Sequence, residues 1–164
     1  MVGPPVEIVA VSRRPAAPHR ALWYGPWGCL LLIGDARSLQ RTVFQGPLPR
    51  AERTAEPLPM PWGGHKPLRL LLRGTDFQMS VWRALTELPR GTSVSYTDLA
   101  ARIGRPRAIR AVASAVAANP VPMLLPCHRV IRRDGNTGQY IGGAARKRRL
   151  LDDENGHRSL STCF

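Results

Sequence analysis

The stretch that decides the fold lies in the second half of a chain of 164 residues and runs Asn119-Pro120-Val121-Pro122-Met123-Leu124-Leu125-Pro126-Cys127-His128-Arg129-Val130-Ile131. Its apolar run ends in a Pro-Cys-His-Arg step, which puts a thiol beside an imidazole. A thiolate is the reactive form of cysteine, and an adjacent base with cationic neighbours lowers a thiol pKa. Cys127 is therefore a candidate nucleophile, although a cysteine beside an apolar run is more often an inert buried residue.

An amphipathic helix is predicted upstream, over residues 75–88, with Thr75 as its N-cap and Trp82 packed beneath it. Its apolar side chains recur at helical spacing: Phe77, Val81, Leu85 and Leu88. This stripe indicates core packing and not a cofactor site.

Two shorter helices are predicted over residues 97–103 and 108–118, after an extended step at residues 94–96. A turn containing Gly104 separates them, and two short helices around such a turn are typical of a helix-turn-helix. The second helix is rich in small residues, which suit either close approach to a groove or tight helix packing: Ala111, Ala113, Ala115, Ala117 and Ala118. A last, basic helix is predicted over residues 144–153.

The N-terminal region favours strands. Residues 1–20 form either a loose leader or an edge strand, while residues 21–44 contain strand-like runs separated by glycine turns. With a further strand at residues 68–72, we predict a small antiparallel sheet. Residues 45–67 contain six prolines, which predict a connection without a long helix.

The charge balance favours a polyanionic partner. Lys and Arg total 24 against 11 acidic residues, giving a net charge of +13, and only two of the 24 are lysines. Arginine binds phosphate bidentately and stacks on bases, although codon usage can also enrich it. Basic residues flank the candidate site: Arg102, Arg105, Arg107 and Arg110 before it, and Arg129, Arg132, Arg133, Arg146, Lys147, Arg148 and Arg149 within and after it.

The three cysteines, Cys29, Cys127 and Cys163, are too few and too widely spaced to suggest disulfides or a zinc site. We expect no metal and no cofactor. The sequence begins without a signal-peptide pattern and has no apolar run of membrane-spanning length. A soluble cytoplasmic protein is expected, nucleoid-associated if the source is bacterial.

Six ordered blocks resemble the O6-alkylguanine-DNA alkyltransferase family: RGTDFQMSVWRAL, GTSVSYTDLAARIGRP, RAVASAVAANP, PCHRV, GQYIGG and LLDDENG. The resemblance covers residues 73–156 and implies an α+β protein. A ribonuclease-H-like sheet domain (1–72), shortened where the family usually has a helix and further strands (45–67), would precede a winged helix-turn-helix domain (73–156, with the motif at 97–118). Residues 157–164 would be a tail.

The resemblance implies stoichiometric transfer of an alkyl group from O6-alkylguanine in double-stranded DNA, with O4-alkylthymine as a further substrate, to Cys127 of a monomer. His128 would accept the thiol proton by triad logic. Glu154 would orient His128, although spacing alone leaves Asp152 and Asp153 as alternatives. Asn119 would hold the active-site turn.

The remaining site residues implied by the resemblance divide into two groups. The DNA-binding group comprises Arg110 as the finger that replaces the flipped base, with Tyr96, Ser95, Ala111 and Arg129. The substrate-pocket group comprises Tyr140 as an aromatic wall, Val116, Pro122, the carbonyls of Cys127 and Val130, and the amide of Ile141.

Two other functions are alternatives to transfer. An alkyltransferase-like protein would bind the lesion without reacting, but such proteins replace the reactive cysteine. A cysteine hydrolase with a Cys-His-Glu relay would turn over and would not need a helix-turn-helix.

Overall fold

The computed structural model describes residues 6–12, 19–25, 28–35, 38–45 and 68–156. Strands and helices are segregated along the chain, which makes it the expected α+β protein. The five strands of the main sheet are β1 Val6–Ala10, β2 His19–Gly25, β3 Gly28–Asp35, β4 Ser38–Phe44 and β5 Leu68–Leu72. The leader therefore contains a strand, and it lies at an edge of the sheet.

The sheet is mixed, so the prediction of an antiparallel sheet was wrong in part. Its described strands have the order β1-β5-β4-β3-β2, and among them the β2–β3 and β3–β4 pairs are antiparallel. Strand β5 is parallel to both β1 and β4. Parallel neighbours need a long crossover, and residues 45–67 are long enough to provide one between β4 and β5. The proline-rich connection itself, from residue 46, lies outside the described residues.

The remaining elements are α1 Asp76–Thr86, β6 Val94–Ser95, α2 Tyr96–Arg102, α3 Ile109–Ala117, one 3₁₀ turn at Cys127–Arg129, β7 Val130–Ile131 and α4 Ala144–Glu154. All four predicted helices are present within two residues of the expected bounds. Thr75 caps α1 in a capping box with Gln78, as its sequence position predicts.

Helices α2 and α3 pack together as the predicted helix pair, and α3 also packs on α1. The indole nitrogen of Trp82, on α1, donates to the carbonyl of Ala115, on α3, at 2.9 Å. The wing is minimal, because β6 and β7 are two-residue parallel strands and the described residues 132–143 contain no strand. Backbone turns follow β7 instead.

A single cluster of buried apolar residues runs from the sheet strands into α1, α2 and α3 and reaches Cys127 and Val130. It places the Cys127 turn at the edge of the core. Among the described residues, no helix is both long enough and apolar enough to cross a membrane. The predicted tail, residues 157–164, lies outside the described part of the chain.

Candidate active site

Asn119 holds the turn that leads to Cys127. Its side-chain amide donates to the carbonyl of Leu125 at 2.8 Å, and its carbonyl oxygen accepts from the N–H of Val121 at 2.9 Å. The side chain is buried, so both bonds are shielded from water. A turn with three prolines has few N–H donors of its own, and the asparagine supplies part of what is missing.

Cys127 opens the 3₁₀ turn and is buried, with 4% of its surface exposed. Burial raises the pKa of the thiol, while neighbouring hydrogen-bonding groups of Asn119 and the positive charge of Lys147 lower it. Burial is the larger effect, so the resting sulfur is a thiol. Its activation requires a base.

His128, the next residue along the chain, has the burial and protonation state that such a base would need. It is 2% exposed, and burial lowers the pKa of its ring despite the nearby Glu154 carboxylate, so it is neutral at pH 7. Its Nε2 lies 3.0 Å from Oε1 of Glu154, and its buried Nδ1 has no hydrogen-bond partner among the described residues. Within the described residues, no direct hydrogen bond joins the side chains of His128 and Cys127.

Of the three consecutive acidic residues, Glu154 is the one that reaches His128. Arg129 binds both of its oxygens, with Nε–Oε2 at 2.8 Å and Nη2–Oε1 at 2.6 Å. Burial alone would raise the pKa of Glu154, but the hydrogen bonds from His128 and Arg129 lower it to about 2. Asp153 instead pairs with Arg90 near the surface. The described residues contain no group of three potential metal ligands.

The expected DNA contact of Arg129 needs correction. Its third donor group, Nη1, binds the carbonyl of Leu88 at 2.6 Å, so the guanidinium is turned inward and braces Glu154. A buried carboxylate needs such a partner, and the planar fork of arginine provides it.

Lys147, one of the basic residues that flank the Cys-His step in sequence, is a buried cation. It is 1% exposed, and its Nζ donates to the carbonyls of Val130 and Thr137, each at 2.6 Å. Burial lowers the pKa of Lys147 to about 8, and the negative charge that Cys127 carries in its thiolate form opposes that shift. One signal was available in the sequence: Lys147, Leu150 and Leu151 share the inward face of α4 at i, i+3 and i+4.

A cavity of about 250 Å³ opens over Cys127. Its lining contains Tyr96, Val116, Ala117, Cys127, Gln139, Tyr140 and Ile141. Sequence reasoning missed Ala117 and Gln139, which lie next to expected pocket residues. Burial raises the pKa of Tyr140 strongly. Its hydroxyl lies near enough to Cys127 to lower the pKa of the thiol, yet it makes no hydrogen bond of ordinary geometry to a described residue.

Three expected site residues are placed differently. Pro122 lines a neighbouring cavity of about 350 Å³ and does not line the cavity over Cys127. The side chain of Val130 is fully buried in the core, and its carbonyl binds Lys147. Ser95 is the N-cap of α2, where its hydroxyl accepts from the N–H of Asp98 and donates to the Asp98 carboxylate. A serine three residues before an aspartate is also the sequence pattern of a helix N-cap, so the sequence alone did not separate a cap from a binding residue.

An exposed surface beside the cavity carries the arginines of the helix pair. Arg110 and Ala111 are exposed on α3, next to the partly exposed Ile109. Exposed arginines continue across the turn before α3 and the loop after β7: Arg102, Arg105, Arg107, Arg132 and Arg133. A surface with this density of positive charge attracts a polyanion.

The chain is similar in sequence to known proteins. The family model for the 6-O-methylguanine DNA methyltransferase, DNA binding domain, matches residues 76–156. The chain is 41% identical over 140 residues to the bifunctional transcriptional activator/DNA repair enzyme Ada of Escherichia coli, covering 77% of this chain and 39% of that protein. It is 51% identical over 81 residues to the inducible methylated-DNA--protein-cysteine methyltransferase of Bacillus subtilis, covering 49% of this chain and 45% of that one. The chain thus spans less than half the length of these two relatives.

Solved structures match over most of their length. Mycobacterium tuberculosis OGT in complex with DNA gives a TM-score of 0.68 at 35% identity, covering 83% of this chain and 92% of that chain. Mycobacterium tuberculosis O6-methylguanine methyltransferase gives 0.68 at 33% identity, covering 87% and 96%. At this identity the likeness extends beyond fold to sequence.

Proposed function

The chain belongs to the O6-alkylguanine-DNA alkyltransferase family, and from this premise we propose that it repairs DNA by transferring the alkyl group of O6-alkylguanine to its own Cys127. The observation that supports this most directly is the buried thiol at the floor of a cavity, followed in sequence by a neutral histidine that a carboxylate anchors. O4-alkylthymine is a second substrate of the same chemistry. We propose residues 1–72 as the sheet domain and 73–156 as the transfer domain.

In the proposed reaction, the sulfur of Cys127 forms a bond to the alkyl carbon while the bond from that carbon to O6 breaks. Nδ1 of His128 accepts the thiol proton, through one bridging water because the two side chains make no direct hydrogen bond among the described residues. Glu154 stabilises the imidazolium that forms. The proton then passes to the leaving base, which departs as neutral guanine.

The target base reaches Cys127 only when it is flipped out of the duplex, which costs a few kcal/mol in lost stacking. Arg110 occupies the place of the flipped base, and the other exposed arginines bind phosphates. Ala111 has no side chain beyond Cβ, so α3 can approach the groove closely. The whole site lies on one chain, which favours a monomer acting on DNA in the cytoplasm or nucleoid.

In the cavity, Tyr140 stacks on the flipped base, which is worth about 1 to 3 kcal/mol by analogy with other aromatic contacts. Val116 lies on the opposite side, and Tyr96 donates to the guanine ring. The carbonyls of Cys127 and Val130 accept from the guanine amino group, and the amide of Ile141 faces the alkylated oxygen. The Val130 carbonyl has a second lone pair beside the one that Lys147 uses.

A thioether is a poor leaving group, so each chain reacts once. Titration of the protein with methylated duplex tests this: repaired duplex should rise linearly and stop at one per chain. Continued repair beyond that ratio would indicate a hydrolase, and tight binding without repair would indicate the non-reacting alkyltransferase-like alternative. The presence of Cys127 favours transfer over that alternative.

A further inference from the structure

Strand β4 of the sheet reaches across to the turn that carries Cys127. Thr42 is buried, its N–H donates to the carbonyl of Pro120 at 2.9 Å, and its hydroxyl donates to the carbonyl of Pro122 at 3.1 Å. Two carbonyls of a proline-rich turn are therefore satisfied from the sheet. The turn itself lacks N–H groups at its prolines, so these donors fix its distance from β4.

Strand β4 also contacts Tyr140, which forms a wall of the cavity over Cys127. Phe44, two residues after Thr42 and on the same face of β4, lies with its ring centroid 5.9 Å from that of Tyr140. The guanidinium of Arg146 covers the Phe44 ring at 4.4 Å. A Cβ atom at Gly142 would lie 2.9 Å from two carbons of that ring, so the loop after Tyr140 fits closely against it.

The cavity of about 350 Å³ that Pro122 lines lies between these contacts, bordered by β4 on one side and by the Asn119 turn on the other. Part of the interface between sheet and turn is thus open. Alignment of the two surfaces depends on the hydrogen bonds of Thr42 and on the packing of Phe44.

We infer that Thr42 and Phe44 are positioning residues for alkyl transfer: β4 holds the turn bearing Cys127 and the wall bearing Tyr140 at a fixed separation. This rests on the proposed function. Displacement of the sulfur relative to a stacked base by about 1 Å can cost about a hundredfold in rate. Neither residue belongs to the exposed arginine surface, so the affinity for DNA should be unaffected.

The test compares Thr42→Val, Thr42→Ser and Phe44→Leu with the wild type and with Gln40→Leu. Valine keeps the size and backbone N–H of Thr42 but removes the hydroxyl, and serine restores it. Gln40 is the matched control, because it is a buried residue of β4 two positions before Thr42 and its amide nitrogen has no hydrogen-bond partner among the described residues. Single-turnover methyl transfer at saturating duplex, the Kd for undamaged duplex and the thermal midpoint are measured for each.

We expect Thr42→Val and Phe44→Leu each to slow transfer by about tenfold or more, with a Kd within about twofold of the wild type. Thr42→Ser and Gln40→Leu should keep the wild-type rate. An unchanged transfer rate in folded Thr42→Val and Phe44→Leu would overturn this inference but not the proposed function. A loss of DNA affinity that matches the loss of rate would do the same. A wild type that transfers no methyl group would overturn the proposed function and this inference with it. The two positions are tested separately, so failure of one variant to fold leaves the other decisive.

Discussion

Nε2 of His128 lies 3.0 Å from Oε1 of Glu154, 26 residues further along the chain. Since the pKa of Glu154 is about 2, its carboxylate is ionised at neutral pH and can only accept hydrogen bonds. The ring proton of His128 is therefore on Nε2, and Nδ1 is left as an acceptor. One carboxylate thus fixes Nδ1 as the ring nitrogen that can accept a proton.

Glu154→Gln should weaken both the fold and the reaction. It removes the anion that anchors His128 and leaves the inward guanidinium of Arg129 without its ionic partner, and breaking such a buried pair should cost about 3 to 5 kcal/mol. Urea unfolding and the single-turnover transfer rate measure the two effects. The matched control is Asp153→Asn, whose more exposed pair with Arg90 should contribute less than about 1 kcal/mol. Equal losses in the two variants would contradict the assignment.

The contribution of Glu154 to stability should depend on pH. Its pKa is lowered from 4.5 to about 2 on folding, so the folded state favours the ionised form. The stabilisation is therefore complete above pH 4.5 and is lost as the pH falls through about 2. The difference in unfolding free energy between wild type and Glu154→Gln, measured from pH 7 downward, should shrink below pH 4.5. A difference that grows on acidification would be inconsistent with a lowered pKa.

Lys147→Met should lower the reactivity of Cys127 below about pH 8, where the Lys147 side chain is charged. Burial already raises the pKa of the thiol, and the Lys147 charge is one of the effects that lower it. Iodoacetamide modification at Cys127, followed by peptide mass spectrometry between pH 6 and 10, reports the thiolate. Arg148→Met, which removes an exposed charge one residue away, should leave the profile unchanged. Wild-type reactivity below pH 8 in Lys147→Met would show that the Lys147 charge does not reach the sulfur.

Arg110→Ala should impair duplex repair more than single-strand repair. An arginine that takes the place of the flipped base matters only in duplex DNA, where the base must leave a base stack. Unstacking costs a few kcal/mol. The transfer rate on methylated duplex should therefore fall by about tenfold or more. The rate on the same methylated single strand should fall by about threefold or less. Arg105→Ala, a neighbouring exposed arginine, should affect both substrates alike. Equal losses for Arg110→Ala would make it an ordinary phosphate contact.

Local signals in the sequence predicted most of the fold. The capping residue Thr75, the helical spacing of the apolar residues after it and the glycine turn of the helix pair each depend on neighbours along the chain, and each was confirmed. The parallel pairing of β5 with β1 and β4 was missed. Strand pairing joins residues far apart in sequence, and the alternation within a strand does not reveal the direction of its neighbour.

The site could be located from sequence but not oriented. Consecutive helical residues point about 100° apart, so the choice of Glu154 over Asp152 and Asp153 depends on where His128 lies in space. In the same way, a count of basic residues cannot separate Arg129 and Lys147, which face inward, from the exposed Arg110. The positioning contacts of Thr42 cross from β4 to a turn 80 residues away, and no local pattern predicts them.

The most direct test is the intact mass of the protein after incubation with duplex DNA carrying a single O6-methylguanine, run beside Cys127→Ala. Transfer to Cys127 predicts a gain of about 14 Da that saturates at one methyl group per wild-type chain and is absent from the variant. An unchanged wild-type mass while the duplex remains bound would contradict transfer and indicate lesion binding without reaction.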